Sequence, residues 1–115
     1  MADTSFWNAL DQLLASSEVV IDGPKGSPHP DYPDMIYPLD YGYLAGTMSA
    51  DGGGIDVWVG SQGGRAVTAA ICTVDLIKRD TEMKILVGCS DADIETIRQF
   101  IEDNSMGCAI LKRQG

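Results

Sequence analysis

Y-P-L-D-Y-G-Y-L-A-G-T-M-S-A-D-G-G-G-I-D-V-W-V, residues 37–59, is the stretch on which the reading of this chain turns. Its first half places Tyr37, Tyr41 and Tyr43 at odd positions. Side chains at period two share one face of an extended chain, so three phenols are expected along one surface. Its second half sets Gly52, Gly53 and Gly54 between Asp51 and Asp56, ahead of the apolar run Val57-Trp58-Val59. Such glycines permit a tight turn and a close backbone approach to a ligand. A turn of this kind brings two carboxylates together, and like charges held close call for a cation between them. All-oxygen donors suit a hard divalent ion such as magnesium.

Working outward, the same segment resembles the soluble family I inorganic pyrophosphatases. That family carries Tyr-Pro-x-Asn-Tyr-Gly, a short spacer, then Asp-Gly-Asp-Pro-x-Asp before an apolar strand; here Y-P-L-D-Y-G stands at 37–42 and D-G-G-G-I-D at 51–56. Upstream, Val20-Ile21-Asp22-Gly23-Pro24-Lys25-Gly26-Ser27 is similar to its acidic strand followed by Pro-Lys-Gly-Ser. Downstream, residues 74–84 look like a shortened form of its Asp-x-x-x-x-Asp-x-Lys segment. The likeness spans roughly positions 19 to 88, and the order and spacing of several motifs make it specific.

The resemblance implies magnesium-dependent hydrolysis of pyrophosphate, with manganese as the alternative ion. It implies metal ligation by Asp51, Asp56, Glu82, Asp80 and Asp22, phosphate binding by Lys25, Tyr41 and Lys84, and catalysis by Asp51, Asp56, Tyr41 and Lys84. It also implies a small OB-like five-stranded barrel with an N-terminal helix and a late helix packed outside, an α+β and mainly β class. A homo-oligomer is expected.

Four departures stand beside the match. Gly53 replaces the middle aspartate that orients the attacking water in the family, and Gly54 replaces the proline after it. Asp40 replaces asparagine; it is also the nearby carboxylate that compensates for Gly53 on the catalytic reading. The interval after Lys25 is too short for the family's phosphate-binding hairpin, and its Tyr-Lys pair is replaced near Asp103-Asn104. Two other readings follow: a catalytically impaired protein binding metal and phosphate or nucleotide, and a hydrolase of another phosphoanhydride. Arg65 and Arg79 are surface charges or substitutes for a lost phosphate contact. His29, between two prolines, reads as a loop residue. Asp80, Glu82 and Lys84, taken alone, fit a solvated strand edge equally well.

A chain of 115 residues with 44% hydrophobic content suits one packed domain. Its net charge of −9 disfavours nucleic acid and anionic membrane. Cys72, Cys89 and Cys108 form no C-x-x-C pair and read as buried thiols in a reducing cytoplasm. No apolar run is long enough for a membrane helix, and the acidic first residues do not look like a signal peptide.

Capping and periodicity predict a helix over 4–16, started by Asp3 or Thr4 and striped by Phe6, Trp7, Leu10, Leu13 and Leu14. A second helix runs from Ser90 to about Asp103, with Ile94, Ile97 and Ile101 inward and Asp91 and Asp93 complementing its dipole. Strands are expected at 18–22, 55–60, within 65–78 as one bent run, at 82–88 and at 106–112. A proline-fixed loop fills 23–35. On the strand at 82–88, alternation puts Glu82 and Lys84 on one face, opposite Met83, Ile85 and Val87.

Overall fold

The computed structural model describes residues 3–50 and 52–114. Helix α1 (Thr4–Ala15) is followed by strands β1 (Val19–Gly23), β2 (Asp40–Leu44), β3 (Ile55–Val59), β4 (Val67–Asp75) and β5 (Asp80–Val87), then helix α2 (Asp91–Asp103) and strand β6 (Gly107–Lys112). The strands form one sheet in the order β1-β2-β3-β5-β4-β6. Every neighbouring pair is antiparallel except β3 and β5, which run parallel through Val57↔Ile85, Trp58↔Leu86 and Val59↔Val87. The α+β, mainly β, OB-like expectation holds. The five-stranded barrel does not: the described residues form six strands, and the sheet is open between β1 and β6.

Alternation along the central strands sorts side chains onto two faces. One face carries Trp58, Ala69, Ile71 and Leu86 and is covered by Ile94, Ile97 and Ile101 of α2. The other carries Leu44, Val57, Ala70 and Ile85 and is covered by Trp7, Leu10 and Leu14 of α1. The two aromatics opening α1 thus serve the chain's own core. A register shift between Val67 and Ala69 is the bend expected in the long β run. It places Val67 with Ala70 on the α1 face and Ala69 with Ile71 on the α2 face. A β-bulge reverses the facing of a strand in this way.

Ser90 caps α2 by accepting from the Asp93 amide, and the Asp93 side chain accepts from the Ser90 amide. Asp93 also accepts from the Ser61 amide at 2.9 Å and hydroxyl at 2.8 Å, which ties the turn after β3 to the helix. Burial alone would raise its pKa, but these bonds outweigh it and hold the carboxyl below the usual range. A carboxyl depressed in the folded state adds stability above its unfolded pKa of about 3.9, and that stability is lost as pH falls through the folded value. Asp93→Asn is therefore expected to cost about 1–3 kcal/mol at pH 7. Melting curves from pH 2 to 7 should converge for the two proteins at the acid end and separate above about pH 4.

Among the described residues no helix is long and apolar enough to cross a membrane. The three thiols are free, but only Cys89 is buried. Cys72 and Cys108 are only partly buried, and Cys108 packs at the margin of the α2-side core. Burial pushes the Cys89 thiol up to about 12.

Candidate functional site

The site lies on the α2 face, where β2, β3 and β5 run side by side. Tyr41 of β2 stands opposite Trp58 of β3, and Asp56 lies two residues before Trp58 on the same face. Lys84 and Glu82 extend from β5 beyond Leu86, also on this face. Four side chains from three strands therefore converge. The Lys84 ammonium donates to the Tyr41 hydroxyl oxygen at 2.8 Å and to Asp56 Oδ2 at 2.9 Å, and it lies 3.3 Å from Glu82 Oε2. Tyr41 donates its own proton to Asp56 Oδ2 at 2.8 Å, closing a triangle.

The Lys84 side chain is only 14% exposed, so it is not the solvated strand-edge residue that its sequence alone allows. Burial disfavours its charged form, but the Tyr41 oxygen and the Asp56 carboxylate more than offset this and raise its pKa above the ordinary lysine value. Burial also raises the Tyr41 phenol, with Lys84 opposing and Asp56 adding to the shift. At neutral pH the pair is therefore an ammonium and a neutral phenol, and the full negative charge facing Lys84 comes from Asp56 and Glu82.

Tyr37 stacks on Tyr41 with ring centroids 5.3 Å apart and planes 12° apart. A Cβ on Gly23 would come within 2.6 Å of the Tyr37 ring, so this glycine seats the tyrosine against the site. Trp58 packs edge-on to Tyr41 at 4.7 Å, and Phe100 of α2 packs edge-on to Trp58 at 5.6 Å. These rings wall a cavity of about 540 Å³ that also reaches Lys84, Glu82, Asp80 and the loop around His29.

The expected site residues divide. Tyr41, Asp56, Lys84 and Glu82 are brought together. Asp80 opens β5 and lines the same cavity, but it makes no ion pair with Lys84. Asp22 is exposed on edge strand β1, close enough to Tyr37 to help raise its pKa, which burial raises most. Lys25 is exposed, and its backbone amide is held by Asp40 Oδ1 at 2.8 Å. Asp40 thus fixes a loop from the opposite face to Tyr41 and does not supply the carboxylate missing at Gly53. Arg65 is not a phosphate ligand either: its guanidinium donates to the Leu14 and Ser17 carbonyls at 2.8 Å and ties down the end of α1. Asp51 lies outside the described residues.

A resident magnesium ion does not fit the described donors. No three carboxylate, histidine or cysteine side chains among them converge on one point. The gap between Asp56 and Glu82 is bridged by the Lys84 ammonium instead.

Tyr37 and Tyr41 share one surface as their spacing implies, whereas the sequence reading assigns Trp58 and Phe100 no part in it. Phe100 falls between Ile97 and Ile101 on the inward stripe of α2, and that spacing was a signal for it. His29 lies in the loop that its flanking prolines imply, with its ring 5.9 Å from that of Tyr37.

Solved structures of known proteins share this fold. An inorganic pyrophosphatase from Neisseria gonorrhoeae superposes with a TM-score of 0.65 at 17% identity, over 82% of this chain and 80% of its own. The fold is that of the inorganic pyrophosphatases. The pyrophosphatase of Thermus thermophilus gives a TM-score of 0.59 at 18% identity over 83% and 81% of the two chains. That of Helicobacter pylori gives 0.59 at 16% over 83% of each. No protein-family model and no curated protein matches the sequence. The pyrophosphatase fold is thus carried by shape, at identities too low to transfer an activity.

Proposed function

We propose that this chain hydrolyses pyrophosphate, a phosphoanhydride, with magnesium or manganese entering as part of the substrate complex. The observation that carries this reading is the buried Lys84 ammonium, set with Tyr41 and Asp56 on a pyrophosphatase-type sheet at the foot of an open cavity. A compact ammonium in a water-poor site stabilises charge developing on a leaving phosphate. A metal ion carried in with the substrate would neutralise phosphate charge and polarise a phosphoryl oxygen.

The protein's own groups have distinct tasks. Lys84 turns from its carboxylates to a phosphate oxygen. Tyr41, protonated throughout, redirects its hydroxyl from Asp56 to the same phosphate. Asp56, released from both, accepts a proton from the attacking water. Asp51 and Asp56 are the oxygen donors offered to the incoming metal, with Glu82, Asp80 and Asp22 as further carboxylates, and Lys25 is a second cation for the phosphates. The setting is a soluble, cytoplasmic enzyme acting as a homo-oligomer.

Phosphate release from pyrophosphate, measured with magnesium, with manganese and with neither, tests the reading. Activity is expected only with metal. Gly53→Asp restores the one carboxylate that the motif lacks and should raise the rate about a hundredfold, the worth of a well-placed general base. No release under any condition, from wild type or Gly53→Asp, would reject hydrolysis. A second reading then stands, a phosphate-binding protein without turnover. It is favoured by the way Lys84 neutralises the protein's own carboxylates.

A further inference from the structure

Lys84 and Tyr41 occupy only one end of the cavity. Its volume of about 540 Å³ lies in the range of sites for organic ligands of drug size, about 300–1,000 Å³. Two linked phosphoryl groups with no apolar surface cannot fill it. The remaining wall is aromatic: Phe100, partly exposed, presents ring surface and is backed by the buried Tyr37 and Trp58, with Phe100 inclined 29° to Tyr37 at 6.4 Å. His29 and Tyr32 continue it from the proline-fixed loop, 5.2 Å apart. Beside these rings stand the carboxylates of Asp31 and Asp34.

We infer that the ligand of this site is a nucleoside polyphosphate, taken up as its magnesium complex, rather than inorganic pyrophosphate alone. The inference rests on the phosphoanhydride reading above and names the substrate class. The terminal phosphates meet Lys84 and Tyr41, and the base lies against the aromatic wall. Flat rings favour a planar heterocycle, because stacking is sequence-tolerant and strong. Carboxylates beside the wall accept from the exocyclic amino groups of a base. A prenyl chain would desolvate those same carboxylates with nothing in return. In turnover, a water oxygen bonds to the terminal phosphorus as the bridging P–O bond breaks. The products are orthophosphate and the nucleotide shortened by one phosphoryl group, and the water proton passes to Asp56 and then to solvent.

Calorimetry in magnesium with the β,γ-imido analogue of ATP, imidodiphosphate and geranyl diphosphate tests this on the full chain. Wild type is expected to bind the ATP analogue about tenfold or more tighter than imidodiphosphate, the worth of one stacked base. Phe100→Leu keeps the apolar volume but removes the ring face. It should erase that advantage and leave imidodiphosphate affinity within about twofold. His29→Ala, on the other side of Tyr37, is the second variant should Phe100→Leu not fold, with a smaller loss in the same direction. Equal affinity for the two imido compounds, or tighter binding of geranyl diphosphate than of the ATP analogue, overturns the inference. If pyrophosphate is nevertheless bound and hydrolysed, the proposed function survives that result. If none of the three compounds binds, both fall.

Discussion

Lys84→Met is expected to abolish phosphate release and to lower the melting temperature together. Sequence alternation by itself suggests that truncating Lys84 leaves stability untouched, as for a solvated residue. The structure changes that expectation, because the ammonium is the one cation bridging Asp56 and Glu82 in the described cluster. Removing it leaves two carboxylates facing each other and Tyr41 without its donor. Breaking a fully buried pair costs about 3–5 kcal/mol. Asp56 is a third exposed, so water screens part of this, and a loss of about 1–3 kcal/mol is expected. The activity effect is larger: loss of a preorganised charge at the departing phosphate costs on the order of a hundredfold to a thousandfold. Lys112→Ala is the control. Lys112 is 55% exposed and, among the described residues, pairs only with the 89%-exposed Asp91, so its loss should be within about half a kcal/mol and leave turnover unchanged. Equal turnover in wild type, Lys84→Met and Lys112→Ala would remove Lys84 from the chemistry.

The second large effect is on folding. Gly42 is buried in β2, paired with Ile21 of β1 on one side and Val57 of β3 on the other. A Cβ there would overlap the Val20 carbonyl oxygen and lie 2.8 Å from its carbonyl carbon and 2.9 Å from Ile21 Cα. Each of these neighbours is backbone, so no rotamer change relieves the clash; β1 must move away from β2. Overpacking of this severity costs about 3 kcal/mol. In a domain of this size it should lower the melting temperature by roughly 10 °C or more. Gly107→Ala in β6 meets nothing within 4 Å and should be neutral. A melting temperature for Gly42→Ala within about 2 °C of wild type would show that β1 is not held as described.

The glycine of Y-P-L-D-Y-G is thus a packing requirement, whatever else the motif does. This illustrates what the sequence made legible. Local signals were strong: the caps at Asp3 and Ser90 and the stripes of both helices placed α1 and α2 within a residue or so. Alternation in residues 82–88 put Glu82 and Lys84 on one face, and the motif order put Tyr41 and Asp56 in the same site. The sheet order was not legible, because the parallel β3–β5 pairing joins residues such as Val57 and Ile85 across an intervening strand, and no local pattern encodes that. The sixth strand's place beside β4, which leaves the sheet open, is non-local in the same sense. Lys84's burial was also hidden. It depends on Tyr41 and Asp56 arriving from two other strands, while its own neighbours in sequence are those of an exposed edge. The role of Asp40 is hidden for the converse reason, since its carboxylate is spent on a backbone amide distant in sequence, whereas Arg65 is exposed as its surface reading has it and ties two distant carbonyls.

The acidic mouth of the cavity bears on encounter rather than affinity. Asp31, Asp34, Asp75 and Asp80 line it against Lys78, on a chain of net charge −9. An approaching polyphosphate meets a repulsive field outside and an attractive ammonium only at short range. Fields of this kind alter diffusional capture by tenfold or more, and at about 0.15 M salt they decay within roughly 8 Å. Dissolved salt therefore hastens capture here by shrinking the outer repulsion, while the sheltered ammonium keeps its hold. Free magnesium acts in the same direction on the ligand's side, by removing the charge that the mouth repels. The gate is one of diffusion and ionic strength.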